Sequence, residues 1–254
     1  MLSALLDKRI CLPQDISVSD VDEDRRQHIQ QKYHVALTGD NQLAVLRAEA
    51  VVLAVKPQNL DDVMTDLNGK LRPTQLVLSI VAGATIDSLC QALNHKYVAR
   101  AMPNAPAQIG EGISVWTAAA GVTELQWKWS GSILGAMGKE IYLDDERLID
   151  MATAVSGSGP AYLFLFVEAL TDAAVDIGLP RDTAQELVLE TILGSGHLIR
   201  KTGKGPAELR RMVTSPGGTT EEALLQLEKA DFAGLLMRAV KAAYNKTKRL
   251  GNKQ

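Results

Sequence analysis

Two rhythms divide this chain of 254 residues. Through residue 144, short apolar runs alternate with stretches whose apolar residues recur every three or four positions; from Asp145 onward only the helical spacing persists. Alternating strands and helices are the pattern of a parallel sheet with helices packed on it, and a second half without period-2 segments is all-helical. The expected fold class is therefore an α/β domain over residues 1–144 followed by an all-α domain over residues 145–254. Strands are expected near 16–20, 50–55, 76–82, 98–102, 113–117 and 140–143, with 33–38 a brief strand or an extended link. The helices between them fall near 22–32, 41–47, 60–71, 86–93 and 124–137. The run 50–55 is six apolar residues long, as for a strand buried on both faces, and Lys56-Pro57 stops it. The second half reads as helices at 145–155, 160–177, 181–202, 207–213, 219–229 and 232–250, broken at Gly and Pro. The helix from Pro160 is apolar almost all round, so it must be covered on every side, which implies a subunit interface.

Composition removes several function classes. With 27 basic against 30 acidic side chains, net charge −3, the chain lacks the positive field of a nucleic-acid binder, and 4% aromatics leave little for base stacking. Two cysteines, Cys11 and Cys90, and four scattered histidines make neither a disulfide framework nor a zinc site, so no metal is expected. A reducing cytoplasm is then the default location. No run reaches the roughly 18 apolar residues of a membrane span. The start lacks a basic leader and a cleavage site, and reads as part of a helix.

None of the 20 glycines precedes Gly39. Yet the strand ending at Asp20 is placed where a dinucleotide-binding fold reads the adenosine ribose, about 20 residues after its glycine fingerprint. Two readings stand: a Rossmann-like unit missing its first strand and phosphate loop, or an α/β fold that never had them. No displaced fingerprint rescues the motif, since Gly110-Glu-Gly112, Gly157-Ser-Gly159, Gly194-Ser-Gly196 and Gly203-Lys-Gly205 lack the third glycine at its required spacing.

Three strand ends share the carboxyl edge of the sheet, where open α/β folds place ligands. They are Val55-Lys-Pro-Gln58, Ser79-Ile-Val-Ala-Gly83 and Arg100-Ala-Met-Pro-Asn-Ala-Pro106. Lys56 can sit beside a cofactor phosphate or ribose, or be a solvated lysine at a strand end. In the second half, Thr214-Ser-Pro-Gly-Gly-Thr-Thr-Glu-Glu222 puts two glycines before a helix N-terminus, whose unpaired N–H groups and positive dipole end suit a small carboxylate. Thr219-x-x-Glu222 also reads as a plain capping box. No Ser/His/Asp set supports hydrolysis.

These pieces, in this order, resemble the pyrroline-5-carboxylate reductases over essentially the whole chain. The resemblance rests on Ala54-Val-Lys-Pro57, Ser79 to Gly83, Arg100 to Pro106, Ser156-Gly-Ser-Gly-Pro-Ala-Tyr162, Asp176-Ile-Gly-Leu-Pro-Arg181 and Pro206-Ala-Glu-Leu through Met212 to Thr220. It implies a Rossmann-like NAD(P)-binding domain, N-terminally incomplete, followed by a helical domain for dimerisation and substrate. It implies homodimers, or a larger ring of dimers. The implied reaction is hydride transfer from NADPH, or NADH, to 1-pyrroline-5-carboxylate, giving L-proline in the last step of its biosynthesis. The cofactor residues would be Ser19 and Asn41 toward the adenosine, with Ala54, Val55, Lys56, Pro57, Ala101, Met102 and Pro103 lining the rest. Ser215, Gly218, Thr219 and Thr220 would hold the substrate, with Gly218 and Thr219 N–H on its carboxylate and the Thr220 hydroxyl, the catalytic group, on the ring nitrogen. Asp20 favours a free ribose 2′-OH, whereas Ser19 with Arg25 or Arg26 suits a 2′-phosphate. Family members open with a strand and a Gly-x-Gly-x-x-Gly turn, so this chain is expected to start inside the following helix, about 16 residues late. The alternatives are a catalytically impaired subunit serving only an oligomer, and a hydroxy-acid dehydrogenase of similar build. The latter would carry a catalytic lysine in the helix 160–177, which has none.

Overall fold

A computed structural model describes residues 1–251. The chain forms two compact units, one of Met1–Pro160 joined by the end of the last helix from Ala242, the other of Ala161–Lys241. The first unit begins with α1 (Leu2–Asp7), β1 (Ser17–Ser19), α2 (Glu23–Tyr33), β2 (Ala36–Thr38) and α3 (Asn41–Val45). It continues through β3 (Ala50–Leu53), α4 (Leu60–Leu67), β4 (Leu76–Ser79), α5 (Ile86–Leu93) and β5 (Val98–Met102). After these come β6 (Gly112–Ala118), α6 (Glu124–Gly135), β7 (Gly138–Tyr142) and α7 (Arg147–Ala152), the last running into a π-helical turn, Thr153–Gly157. Only helices follow: α8 (Gly159–Asp176), α9 (Arg181–Thr202), α10 (Pro206–Met212), α11 (Thr219–Lys229) and α12 (Phe232–Gly251).

Polar side chains start four helices of the first unit. Asp22 accepts the Arg25 N–H to begin α2, Asp40 accepts those of Gln42 and Leu43 to begin α3, and Thr85 with Ser88, then Thr123 with Gln126, close reciprocal boxes on α5 and α6. Their ends are equally local: His34 (φ 55°) and Asn94 (φ 48°) adopt left-handed caps.

The strands form a two-stranded parallel sheet, β1-β2, and a five-stranded sheet in the order β3-β4-β5-β6-β7. The sheet is parallel as expected except at one step, where β6 runs antiparallel to β5. The link over residues 103–111 is shorter than the dozen or so residues that a parallel crossover requires. A correction concerns 50–55: the strand stops at Leu53 and alternates, with Val51 and Leu53 buried but Ala50 and Val52 half-buried. β3 ends its sheet, so one face is covered less. Its neighbour β4 is the strand buried on both faces.

Each sheet face has its own core. Val51, Leu53, Val77 and Val98 pack against Leu60, Leu67, Leu89 and Leu93 of α4 and α5. On the other side Leu76, Leu78, Ala99 and Ala101 pack with Trp116 and Leu134. Met102, Val115 and Ile149 make a third cluster, which ties α7 to the end of β5 and the middle of β6. That contact is why the first compact unit reaches Pro160, past the change of sequence rhythm at residue 144. In the second unit, α8 leaves Phe164 and Leu165 about two-thirds exposed, at 62% and 66%. Patches of this kind mark association surfaces.

Candidate active site

The first group of sequence-predicted residues gathers on the carboxyl edges of the parallel strands. Ser19 ends β1 and pairs in register with Thr38 of β2, and Asn41 is the first residue of α3, two residues after Gly39. Asp20 lies at this edge, and its carboxylate is already engaged. One oxygen accepts the Asp22 N–H at 3.0 Å, and the other lies 3.5 Å from Arg25 Nε. Arg26 donates from Nη1 to the Asp20 carbonyl at 2.5 Å and passes close to Gly39, where an added Cβ would meet Nη1 at 3.4 Å. Two guanidiniums therefore flank the end of β1, and the acid there is turned toward them.

Ala54, Val55, Lys56 and Pro57 continue from β3. Lys56 is exposed and extended (φ −69°, ψ 147°), and Pro57 opens a single 3₁₀ turn. Ala101 and Met102 close β5 and are buried, with Pro103 directly after them. The β4 end between these two strands turns at Gly83 with φ 85°. Ala54, Gly83 and Ala101 thus stand at three adjacent strand ends, which is the edge where open α/β folds place ligands.

The second group lies in the other unit, in the turn before α11. Ser215 accepts the Gly218 N–H on its carbonyl at 3.0 Å, closing a tight loop with Gly217 in the left-handed region (φ 72°). The capping box read at Thr219-x-x-Glu222 is not formed. Gly218 is the N-cap, Thr219 is already helical, and the reaching carboxylate is that of Glu221, which accepts the Gly217 N–H at 2.6 Å. The glycine pair supplies both the turn and the extended cap (φ −85°, ψ 167°), so no hydroxyl cap is needed. Thr219 and Thr220 follow in the first turn, where backbone N–H groups have no intrahelical acceptor and the helix dipole favours an anion.

One feature near the first group was hidden in the sequence. Arg100 sits in the middle of β5, 1% exposed, paired with Glu146 at the N-cap of α7 and Asp150 within it. Its only signal was a single charge inside the apolar run Val-Ala-Arg-Ala-Met. Among the described residues, no group of three or more His, Cys, Asp or Glu side chains is placed to hold a metal ion. None of the described helices is long and apolar enough to cross a membrane.

Comparison with known proteins bears on both groups. Residues 146–250 match the family model "Pyrroline-5-carboxylate reductase dimerisation", and residues 1–83 match "NADP oxidoreductase coenzyme F420-dependent". The pyrroline-5-carboxylate reductase of Synechocystis is 41% identical over all of this chain and 94% of its own length. Among solved structures, the Coxiella burnetii pyrroline-5-carboxylate reductase superposes with a TM-score of 0.89 at 36% identity, covering 98% of this chain and 93% of that one. A Plasmodium falciparum pyrroline carboxylate reductase, solved with NADP bound, also gives 0.89, at 30% identity and over 98% and 92% of the two chains.

Proposed function

We propose how these residues work from one premise: the chain belongs to the pyrroline-5-carboxylate reductase family. Its activity is the NAD(P)H-dependent reduction of 1-pyrroline-5-carboxylate to L-proline, and it acts as a homo-oligomer. The observation that carries the substrate assignment is the Ser215–Thr220 turn, a glycine pair feeding straight into a helix N-terminus.

The first unit fits a nicotinamide dinucleotide at both ends. Ser19, Asn41 and the two arginines frame the adenosine end, while Lys56-Pro57 and Ala101 to Pro103 line the remainder. The bound dinucleotide supplies the hydride. The protein binds the substrate and holds the proton. The carboxylate is seated on the Gly218–Thr219 segment, where Gly218 exchanges its N–H bond to Ser215 for one to the substrate and Thr219 adds a second. The Thr220 hydroxyl oxygen accepts the N–H of the protonated imine, keeping that proton on nitrogen so that the neighbouring carbon remains electrophilic. A protonated imine fixed in reacting geometry needs no strong general acid, and positioning supplies much of the rate.

NADPH is the cofactor this site favours. An acid at the end of the second strand ordinarily selects a free ribose 2′-OH. Here one Asp20 oxygen accepts the Asp22 N–H, the other faces Arg25, and Arg26 lies beside Gly39, so two guanidiniums stand at the ribose end. A 2′-phosphate would gain charge-assisted hydrogen bonds from both arginines. Steady-state assays with pyrroline-5-carboxylate test this: Arg25→Ala and Arg26→Ala each lower kcat/KM for NADPH roughly tenfold, one charge-assisted hydrogen bond, and leave that for NADH unchanged. Equal losses with both cofactors would remove the arginines from the phosphate site. Absence of any turnover by the parent chain would count against the reductase assignment. Cys11 and Cys90 are free thiols, which suits a reducing compartment such as the cytoplasm.

A further inference from the structure

We propose that Arg100 is a positioning residue for hydride transfer, holding the α7 π-turn against the cofactor-side end of β5; this rests on the reductase reading. The Arg100 side chain leaves β5 on the face that carries Val98 and Met102, and lies in register between two other buried polar residues, Ser79 of β4 and Thr117 of β6. Nη1 donates to Glu146 Oε1 at 2.8 Å and Nη2 to Asp150 Oδ1 at 2.6 Å. Glu146 Oε1 also accepts the Ile86 N–H at 2.8 Å, so the same carboxylate fastens the start of α5. One guanidinium thereby joins the centre of the sheet, the helix after β4 and the entry to α7.

The position of α7 matters because it sets the position of the π-turn at its end. The Ser158 N–H bonds the Thr153 carbonyl five residues back, at 2.9 Å, and Thr153 and Ser156 hydroxyls donate to the carbonyls of Ile149 and Ala152. Gly157 of this widened turn lies beside Met102, where an added Cβ would stand in ordinary van der Waals contact, 3.7 Å from Met102 Cγ. Met102-Pro103 is the strand end assigned to the cofactor.

Stability alone does not account for the arrangement. Arg100 is fully buried while the Glu146 and Asp150 side chains remain 29% and 22% exposed, and taking a guanidinium out of water costs much of what the pairing returns. Arg100 Nε, moreover, is buried without a hydrogen-bond partner among the described residues, the kind of orphan donor native proteins rarely keep. The π-turn is a second irregular feature of a class concentrated at functional sites. Both lie where α7 meets the end of β5. Arg100 touches neither cofactor nor substrate in this assignment; it acts through Met102 and the turn at 153–157.

The test compares Arg100→Met, Arg100→Lys and Asp150→Asn with the parent enzyme, using NADPH and NADPH deuterated at the transferred position. Misplacement of reacting groups by a fraction of an ångström to one ångström slows transfer, so Arg100→Met is expected to lower kcat by about ten- to a hundredfold. KM for NADPH stays within about twofold, because the binding contacts are intact. The deuterium isotope effect on kcat rises, and Arg100→Lys recovers part of the loss. Amide hydrogen exchange over residues 153–158 speeds up in Arg100→Met independently of turnover. If Arg100→Met does not fold, Asp150→Asn carries the same expectations at smaller amplitude. A folded Arg100→Met with kcat within about twofold of the parent overturns the proposal, as do kcat losses matched by equal losses in cofactor binding. Unchanged exchange at 153–158 also overturns it. A parent enzyme that cannot reduce pyrroline-5-carboxylate refutes the reductase reading instead, while the exchange experiment still reports on the anchor.

Discussion

Gly218→Ala is expected to lower kcat/KM for pyrroline-5-carboxylate by roughly ten- to a hundredfold, the loss of a charge-assisted hydrogen bond from the proposed carboxylate seat. An ideal Cβ built on Gly218 falls 2.4 Å from Ser215 Oγ and 3.0 Å from the Ser215 carbonyl oxygen. Rotating the serine relieves the first contact. The second is with backbone, and relieving it opens the turn that aims the Gly218 and Thr219 N–H groups. Since the carboxylate is held alike in ground and transition states, most of the loss belongs in KM. Gly217 provides the contrast. A methyl group there meets nothing within 4 Å, and the cost is the left-handed backbone alone (φ 72°), about 1 kcal/mol. Gly217→Ala should therefore be milder than Gly218→Ala. Substrate titrations on the two purified variants check the order, and a Gly218→Ala enzyme with parental KM would move the carboxylate elsewhere.

Gly138→Ala is expected to be the most destabilising of these changes, with no bearing on chemistry. Gly138 opens β7 at φ 134°, a conformation that L side chains avoid, and is paired in register with Gly112 of β6. An added Cβ would lie 2.2 Å from the Gly112 carbonyl oxygen and 2.6 Å from its nitrogen. Gly112 cannot yield, because its own side is filled by Ala107, 2.7 Å from where its Cβ would be. Backbone strain of about 1–3 kcal/mol and overpacking of similar size sum to roughly 2–6 kcal/mol. In a chain of this size that corresponds to a fall of about 10 °C in melting temperature. Thermal unfolding followed by circular dichroism measures it. A shift under about 2 °C would mean that the β6-β7 start repacks freely.

Much of this was legible before the structure because the controlling interactions are local. Apolar runs located β4 and β5, and Asp22, Asp40, Thr85 and Thr123 mark helix starts that their own side chains make. The Ser215–Thr220 turn could likewise be read from its glycines. What escaped depends on groups distant in sequence. Whether β3 is covered on both faces is decided by its place at the end of the five-stranded sheet, and the reversal at β6 by the length of one link. The start of α11 at Thr219 is legible from the sequence but its cap is not, since Thr219-x-x-Glu222 satisfies the capping pattern while a glycine cap with Glu221 reaching back satisfies the geometry. Arg100 shows the limit most clearly, as its partners lie 46 and 50 residues on. The ribose end was ambiguous for a different reason: Asp20 suggests one cofactor and Arg25 or Arg26 the other, and the sequence does not say that the Asp20 carboxylate turns to the Asp22 N–H and Arg25.

The central claim is that this chain moves a hydride from a nicotinamide to the imine carbon of pyrroline-5-carboxylate. Incubating it with that substrate and NADPH deuterated at the transferred position, then isolating the product, tests this directly. The expected product is L-proline carrying one deuterium, on the ring carbon that flanks nitrogen opposite the carboxylate-bearing carbon, in step with NADPH consumed. Consumption without labelled proline, or dimers that form without turnover, would contradict the claim.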